Sequence, residues 1–294
     1  MQTTTPRQRD SSGTDAQESA GPGARPRGVG RVVLRWLRFN GVVIGVYVLA
    51  FVLWQVITSL FAVPTFILPS PLAIIDRAAE VPRMLGSNLW VTLVEVVVGF
   101  AIGAAVSIPL GVVLVYSRFM ERVVYPFLVA FQATPKVALA PILVVWFGFG
   151  PSSKIVLALV TAAFPIVINT VIGMNQTPRE MVQLMRSLRA SPWQVFAKVR
   201  LPLAAPYIFG GLKIGITLAV VGAVVGEFIA SNSGLGYLLL TANNNLDTPM
   251  LFAVVVMLAI MSSVLFYLIE AAEALLLPGP MRGNQRKLDP GVST

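Results

Sequence analysis

The sequence predicts an all-α polytopic membrane protein, and three observations carry that expectation. The 294 residues are 56% hydrophobic and 12% charged, with a mean hydropathy of +0.78, a composition suited to lipid rather than to a soluble core. The apolar residues fall into long runs, and a helix needs about 20 of them to cross the hydrocarbon. The basic residues behind the net charge of +9 punctuate those runs instead of forming one patch, which points to membrane orientation and away from nucleic acid.

Residues 1–30 are rich in Thr, Ser, Gly, Pro and Gln, and cannot bury enough apolar surface to fold, so a disordered tail is expected. Arg31, Arg35 and Arg38 precede the run 40–62. That run is too long for a signal peptide and no small-x-small cleavage site follows, so it reads as an uncleaved first span. Residues 63–88 read as an extended piece (Pro64, Pro69, Pro71) followed by a short surface helix. Further spans are expected at 89–116, 123–149, 153–174, 203–229 and 248–276, giving six in all within a membrane domain of residues 31–277. The third is interrupted by Pro126, Pro135 and Pro141 and contains Lys136; such a segment is tolerated only under the cover of other helices or water. Residues 278–294 read as a polar C-terminal tail.

Between Thr177 and Pro202 the chain turns polar: TPREMVQLMRSLRASPWQVFAKVRLP. Thr177-x-x-Glu180 and Ser191-x-x-Gln194 both have the capping-box spacing, each with proline at the first helical position. Two short helices are expected, the first with Met181, Leu184, Met185 and Leu188 on one face, the second carrying Phe196 and Val199. Pro202 is expected to end the second.

Placing the N-terminus in the cytoplasm puts 17 basic residues inside and 3 (Arg77, Arg83 and Lys154) outside, with Lys136 and Lys213 in spans. This asymmetry predicts both termini and the 177–202 loop on the inner side.

The chain has no cysteine and no histidine, which excludes thiolate nucleophiles, disulfides and His-based metal or proton-relay sites. Its five aspartates, Asp10, Asp15, Asp76, Asp247 and Asp289, all lie in tails or loops, leaving no pair for an intramembrane aspartyl protease. No G-x-x-x-x-G-K-[ST] phosphate loop is present. Among the interior charges, Glu227 reads either as an outer gate or vestibule or as a carboxylate at a wet helix end. Lys213 is placed to snorkel inward, Glu270 and Glu273 to face water at the inner end of the last span, and Glu95 and Lys136 could pair. Asn169, Gln132 and Thr134 either line a path or act as interhelical hydrogen-bonding glue. Gly99-x3-Gly103 and Gly222-x3-Gly226 suggest close helix approach.

The loop and its surroundings resemble the permease subunit of bacterial ABC importers, most closely the nitrate/sulfonate/taurine class. Aligning Leu201-Pro202 with the end of that family's signature (E-A-A, three residues, G, nine residues, I-x-L-P) puts Val199 at Ile, Arg189 at Gly and Gln183-Leu184-Met185 at E-A-A. The stretch Arg186 to Phe196 fits the class pattern R-S-L-x-A-S-x-W-Q-V-F more closely. Pro141-Ile142-Leu143, Trp146-Phe147-Gly148 and Gly234-Leu235-Gly236-Tyr237 extend the likeness over residues 60–275.

The resemblance implies a type I importer permease in the bacterial cytoplasmic membrane, and a non-enzymatic one. Two permease copies, as a homodimer, would surround a path for a small solute (a sulfonate, nitrate, taurine or related anion, or a vitamin precursor). An extracytoplasmic binding protein would deliver it. No cofactor is implied for this chain; ATP and Mg belong to a separate cytoplasmic ATPase. The implied coupling element runs through Gln183, Leu184, Met185, Arg186, Ser187, Leu188, Arg189, Ala190 and Ser191, with Trp193 and Phe196 packing the second helix beneath it. Gln183 departs from the family's acidic residue, and Arg189 from a glycine that would suit a positive-φ turn. An ion-gradient-driven secondary transporter is the alternative, although only one Pro-broken span is evident where inverted repeats would supply two. A membrane enzyme would have to work with an isolated Glu, Lys or Tyr.

Overall fold

A computed structural model describes residues 29–61 and 63–277, with side chains from Gly45 onward apart from several between residues 118 and 133. The described part is helical throughout. The expected tails at 1–30 and 278–294 lie outside it, except for Val29 and Gly30, which begin α1 (Val29–Leu60). Two compact units divide the chain, Met1–Val52 and Leu53–Thr294. The described part of the first is the opening stretch of α1 alone.

In the second unit a turn leads to α2 (Pro71–Glu80), capped by Ser70, whose Oγ accepts from the Ala73 N–H. Then α3 (Pro82–Tyr116) begins, several residues earlier than the apolar run at 89–116, because Pro82 starts the helix and its polar first turns extend beyond the run. Four helices among the described residues are long and apolar enough to cross a membrane: α3, α6 (Pro151–Asn175), the continuous helix Pro192–Ala230 and α11 (Thr248–Leu276).

The expected span at 123–149 is instead three pieces: α4 (Arg118–Ala133), a 3₁₀ turn at Lys136–Leu139 and α5 (Ala140–Phe147). Pro135 and Pro141 account for the break, since proline lacks the N–H that would continue the helical ladder. Two shorter apolar helical stretches, Gly45–Leu60 and Lys136–Phe147, accompany the four long ones.

The centre of the second unit is α6, clasped between α3 and α9 (Leu201–Ala230). The clasp depends on missing side chains. A Cβ on Gly99 of α3 would meet Ala158 Cβ at 2.7 Å, and one on Gly222 of α9 would meet Ala158 Cα at 2.9 Å. Ala158 is therefore held between two glycines from opposite sides and is fully buried, the close approach by which small residues associate helices in lipid. Around it Val96, Ala162, Ile166, Ile216, Ala219 and Met261 form the core, while Val97, Val221, Val256 and Ile260 remain exposed on the periphery.

Only residues 231–234 separate α9 from the next helix, α10 (Leu235–Asn244). That helix ends in a Schellman motif: Leu246 takes φ 57°, with Asp247 N–H bonded to Ala242 O at 2.9 Å and Leu246 N–H to Asn243 O at 3.1 Å. Asp247 then caps α11 through Met250 N–H at 3.1 Å and accepts from Arg77 Nε and Nη2 at 2.9 and 2.8 Å. This ties α2 to the start of the last long helix.

Candidate functional site

The polar loop folds into α7 (Arg179–Ser187) and α8 (Pro192–Val195). At Ser191 the capping box is complete: Ser191 Oγ accepts from Gln194 N–H at 3.3 Å, and Gln194 Oε1 accepts from Ser191 N–H at 2.8 Å. The box expected at Thr177 does not form. Thr177 Oγ1 instead donates back to Met174 O at 3.2 Å, and Pro178 is the N-cap with no side-chain bond. The hydroxyl satisfies a carbonyl left open at the end of α6, a competing use within the same few residues.

Between the helices Arg189 takes φ 56°. Ala190 N–H bonds to Met185 O and Arg189 N–H to Arg186 O, both at 2.9 Å, which makes Arg189 the left-handed residue of a Schellman motif. The position aligned with the family's glycine thus does require positive φ, and this chain keeps the turn with arginine in it.

Pro202 does not end the second helix. Residues Phe196–Arg200 form a π-turn in which Leu201 N–H reaches back to Phe196 O, and α9 follows without interruption. A regular turn would press the Pro202 ring against the Lys198 carbonyl; the wider π-turn removes that clash.

Leu184, Leu188 and Trp193 are 61%, 70% and 70% exposed, an apolar set unusual on a polar segment, with Met181 beside them and Met185 partly covered. Gln183, Arg186 and Ser187 are exposed as well, and Ala190 is half-buried. Beneath this surface Trp193 and Phe196 rings lie 5.2 Å apart, Phe196 meets Tyr116 edge-on at 6.3 Å, and the Arg200 guanidinium sits 4.9 Å over Tyr116. The aromatic chain joins α8 to the end of α3.

A second constellation lies near the other end of α9, and sequence reasoning missed its membership. Glu227 is 1% exposed, so neither a wet helix end nor a water-facing vestibule describes its side chain. Its carboxylate accepts from Thr92 Oγ1 at 2.7 Å and from the Gly236 N–H. Thr92 Oγ1 in turn accepts from Leu235 N–H at 2.7 Å, and Asn88 Oδ1 from Gly234 N–H at 2.6 Å. The open N–H groups at the start of α10 are thus capped by side chains of α3 and α9, with the carboxylate at the positive end of the helix dipole. Gly234, at φ 102°, and Gly236 leave room for it: a Cβ on either would press on Glu227.

Glu95, 3% exposed, and Lys154 are charged neighbours of Glu227 in the same buried region. Lys154, counted from the sequence as an outer-loop residue, is 3% exposed and donates to Phe149 O and Gly150 O at 2.7 and 3.0 Å. Glu95 therefore does not pair with Lys136, whose Nζ bonds Gln132 Oε1 at 2.8 Å. The signal for this cluster was the run Gly234-Leu235-Gly236 ahead of a helix, seven residues after a carboxylate.

The remaining interior polar residues have modest partners. Asn169 Nδ2 donates to Pro165 O of its own helix at 2.8 Å, and Thr134 Oγ1 to Ala130 O at 3.2 Å. Lys213 does not snorkel; it pairs with Glu273 Oε2 at 2.6 Å. Glu273 is accordingly buried rather than water-facing, since a charge in a span needs a partner.

A bundle of long apolar helices joined through a stiff, apolar-faced polar elbow defines the class of a polytopic helical membrane protein. Residues 99–280 match the family described as binding-protein-dependent transport system inner membrane component, and the chain belongs to that family: it is the permease of a binding-protein-dependent ABC importer, a multi-pass inner-membrane protein. It is 38% identical over 231 residues to the riboflavin transport system permease protein RibX of Chloroflexus aurantiacus, covering 78% of this chain and 86% of that protein. It is 30% identical over 250 residues to the putative aliphatic sulfonates transport permease protein SsuC of Bacillus subtilis, covering 84% and 89%. The fold matches a chain in an inward-facing structure of the MetNI methionine ABC transporter with a TM-score of 0.60 at 22% identity, over 66% of this chain and 97% of that one.

Proposed function

We propose that α7 and α8 are the docking element for a cytoplasmic ATPase subunit, which binds ATP and Mg while this chain binds neither. The observation that carries this reading is the exposed apolar set Leu184, Leu188 and Trp193 on a doubly capped elbow that runs without a break into α9. A floppy loop would absorb a partner's motion; this one has a closed Schellman turn, a full capping box and an aromatic bridge to α3.

In this reading both termini and the elbow are cytoplasmic, and residues 31–277 are the permease domain between the tails 1–30 and 278–294. The type I arrangement has six crossings, with α1 and the broken segment 118–147 completing the set. Two identical copies surround the path, and an extracytoplasmic binding protein delivers the solute. Gln132 and Thr134, exposed on the broken segment, line the path; Asn169 and Glu227 shape it from behind. The cargo is a small solute of the kinds the relatives carry, such as a flavin-like vitamin or a sulfonate, with nitrate and taurine in the same class.

Co-purification tests the reading. The tagged chain, purified from its own cells, is expected to retain a cytoplasmic ATPase subunit and lose it on Leu188→Asp. Retention of the ATPase by that variant would overturn the docking assignment.

A further inference from the structure

A cavity of about 100 Å³ opens between the 3₁₀ turn at Lys136–Leu139, α6 and α9. Val137, Leu157, Leu218, Val221 and Val225 give it apolar walls, and among the described residues Lys136 is the one charged group that lines it. The Thr161 hydroxyl, also at the wall, is turned onto its own helix, where Leu157 O and Ala158 O accept from it at 2.9 Å. Gly222 completes the floor, and its lack of a side chain lets α6 and α9 meet there.

Lipid does not suit this face. The helix is broken at Pro135 and carries an ammonium whose hydrogen bonds both go to the exposed Gln132, at 2.8 Å to Oε1 and 3.5 Å to the carbonyl. Irregular backbone and charge at membrane depth occur where protein or a watery passage covers them. Val137 and Val221, at 57% and 53% exposed, mark the cavity's open side. A third N–H of the Lys136 ammonium remains for an occupant.

We infer that this cavity is a solute subsite of the passage, taking the apolar body of a small molecule whose oxygen-acceptor head meets Lys136. The inference rests on the importer reading and narrows its cargo. A volume of about 100 Å³, some two thirds of the roughly 150 Å³ that takes benzene, suits a short alkyl chain or the edge of one ring projecting through the open side. A flavin ring edge with its carbonyls and an alkanesulfonate share that chemistry. Nitrate does not, because it has no apolar body to fill valine and leucine walls.

The test uses the complete complex of permease and ATPase, with riboflavin, 1-butanesulfonate and nitrate as separate probes in a binding titration. Riboflavin or butanesulfonate is expected to bind, whichever does distinguishing a ring from a chain, and nitrate is not. Val221→Trp, which fills the cavity, should abolish binding. Lys136→Gln, at the exposed rim, should weaken it roughly tenfold, about the worth of one hydrogen bond to a charged group, and Lys136→Arg should restore it. Binding of nitrate alone, of no probe, or of any probe equally well in Val221→Trp and Lys136→Gln would overturn the subsite. None of these results touches the importer reading, which fails separately if no ATPase co-purifies with the wild-type chain.

Discussion

At the residue scale the two most constrained positions are Glu227 and Arg189, and they are constrained for opposite reasons. Glu227 is held by bonds. Its carboxylate receives Thr92 Oγ1 and Gly236 N–H in a site closed to water, with Lys154 as the neighbouring cation. Glu227→Ala leaves the Thr92 hydroxyl and the Gly236 N–H without their acceptor in a buried site, at about 1–3 kcal/mol for each unsatisfied group. Thr92→Val removes one hydroxyl that both donates and accepts, for about 1–3 kcal/mol. Thermal unfolding in detergent should therefore rank Glu227→Ala below Thr92→Val and both below wild type. Equal stability of Glu227→Ala and wild type would mean that the carboxylate caps nothing. Arg189 is held by geometry alone: at φ 56° an L side chain costs roughly 1–2 kcal/mol that glycine avoids. After the greater unfolded-chain freedom of glycine is deducted, Arg189→Gly should leave stability unchanged or raise it by up to about 1 kcal/mol. A clear loss in the same unfolding assay would show that the arginine side chain makes a stabilising contact of its own.

At the scale of elements, two similar sequence signals have different fates, and the difference can be measured. Ser191→Ala removes a working cap, worth about 1 kcal/mol, whereas Thr177→Ala removes only a hydroxyl bonded back onto α6 and should fall within about 0.5 kcal/mol of wild type. Limited proteolysis of the elbow reads both; equal protection of the two variants would refute the distinction. On the docking reading proposed above, the elbow's apolar face bears on coupling rather than on stability. Leu188→Asp is therefore expected to abolish transport with membrane insertion intact, and normal substrate-stimulated ATP hydrolysis in that variant would count against coupling. Much of this was legible beforehand. Hydropathy located α3, α6, α9 and α11, and spacing located α7, α8 and the Ser191 box, because those signals are local. The Thr177 cap, the continuation of the helix through Pro202 and the α10 cap were not legible. Each is decided by a competing partner or a widened turn that only the folded neighbourhood supplies. Lys154 was misplaced for the same reason: a lysine beside Pro151 reads as a loop residue until α3 and α9 pack against α6 and bury it.

At the scale of the whole molecule, one rod connects the two constellations. The helix Pro192–Ala230 has 39 residues and spans about 58 Å at 1.5 Å per residue, well beyond a hydrocarbon core of about 30 Å. One end carries the elbow and the other presents Glu227 to the start of α10, so the two ends must emerge on opposite sides of the bilayer. This makes orientation decidable in one experiment. The chain has no cysteine, so single introduced thiols report without background. Ser187→Cys sits on the exposed surface of α7 and Asn244→Cys on the exposed end of α10. In intact cells a membrane-impermeant maleimide should label Asn244→Cys at once and Ser187→Cys only after permeabilisation. Labelling of Ser187→Cys in intact cells would invert the topology, and would leave the elbow out of reach of any cytoplasmic ATPase.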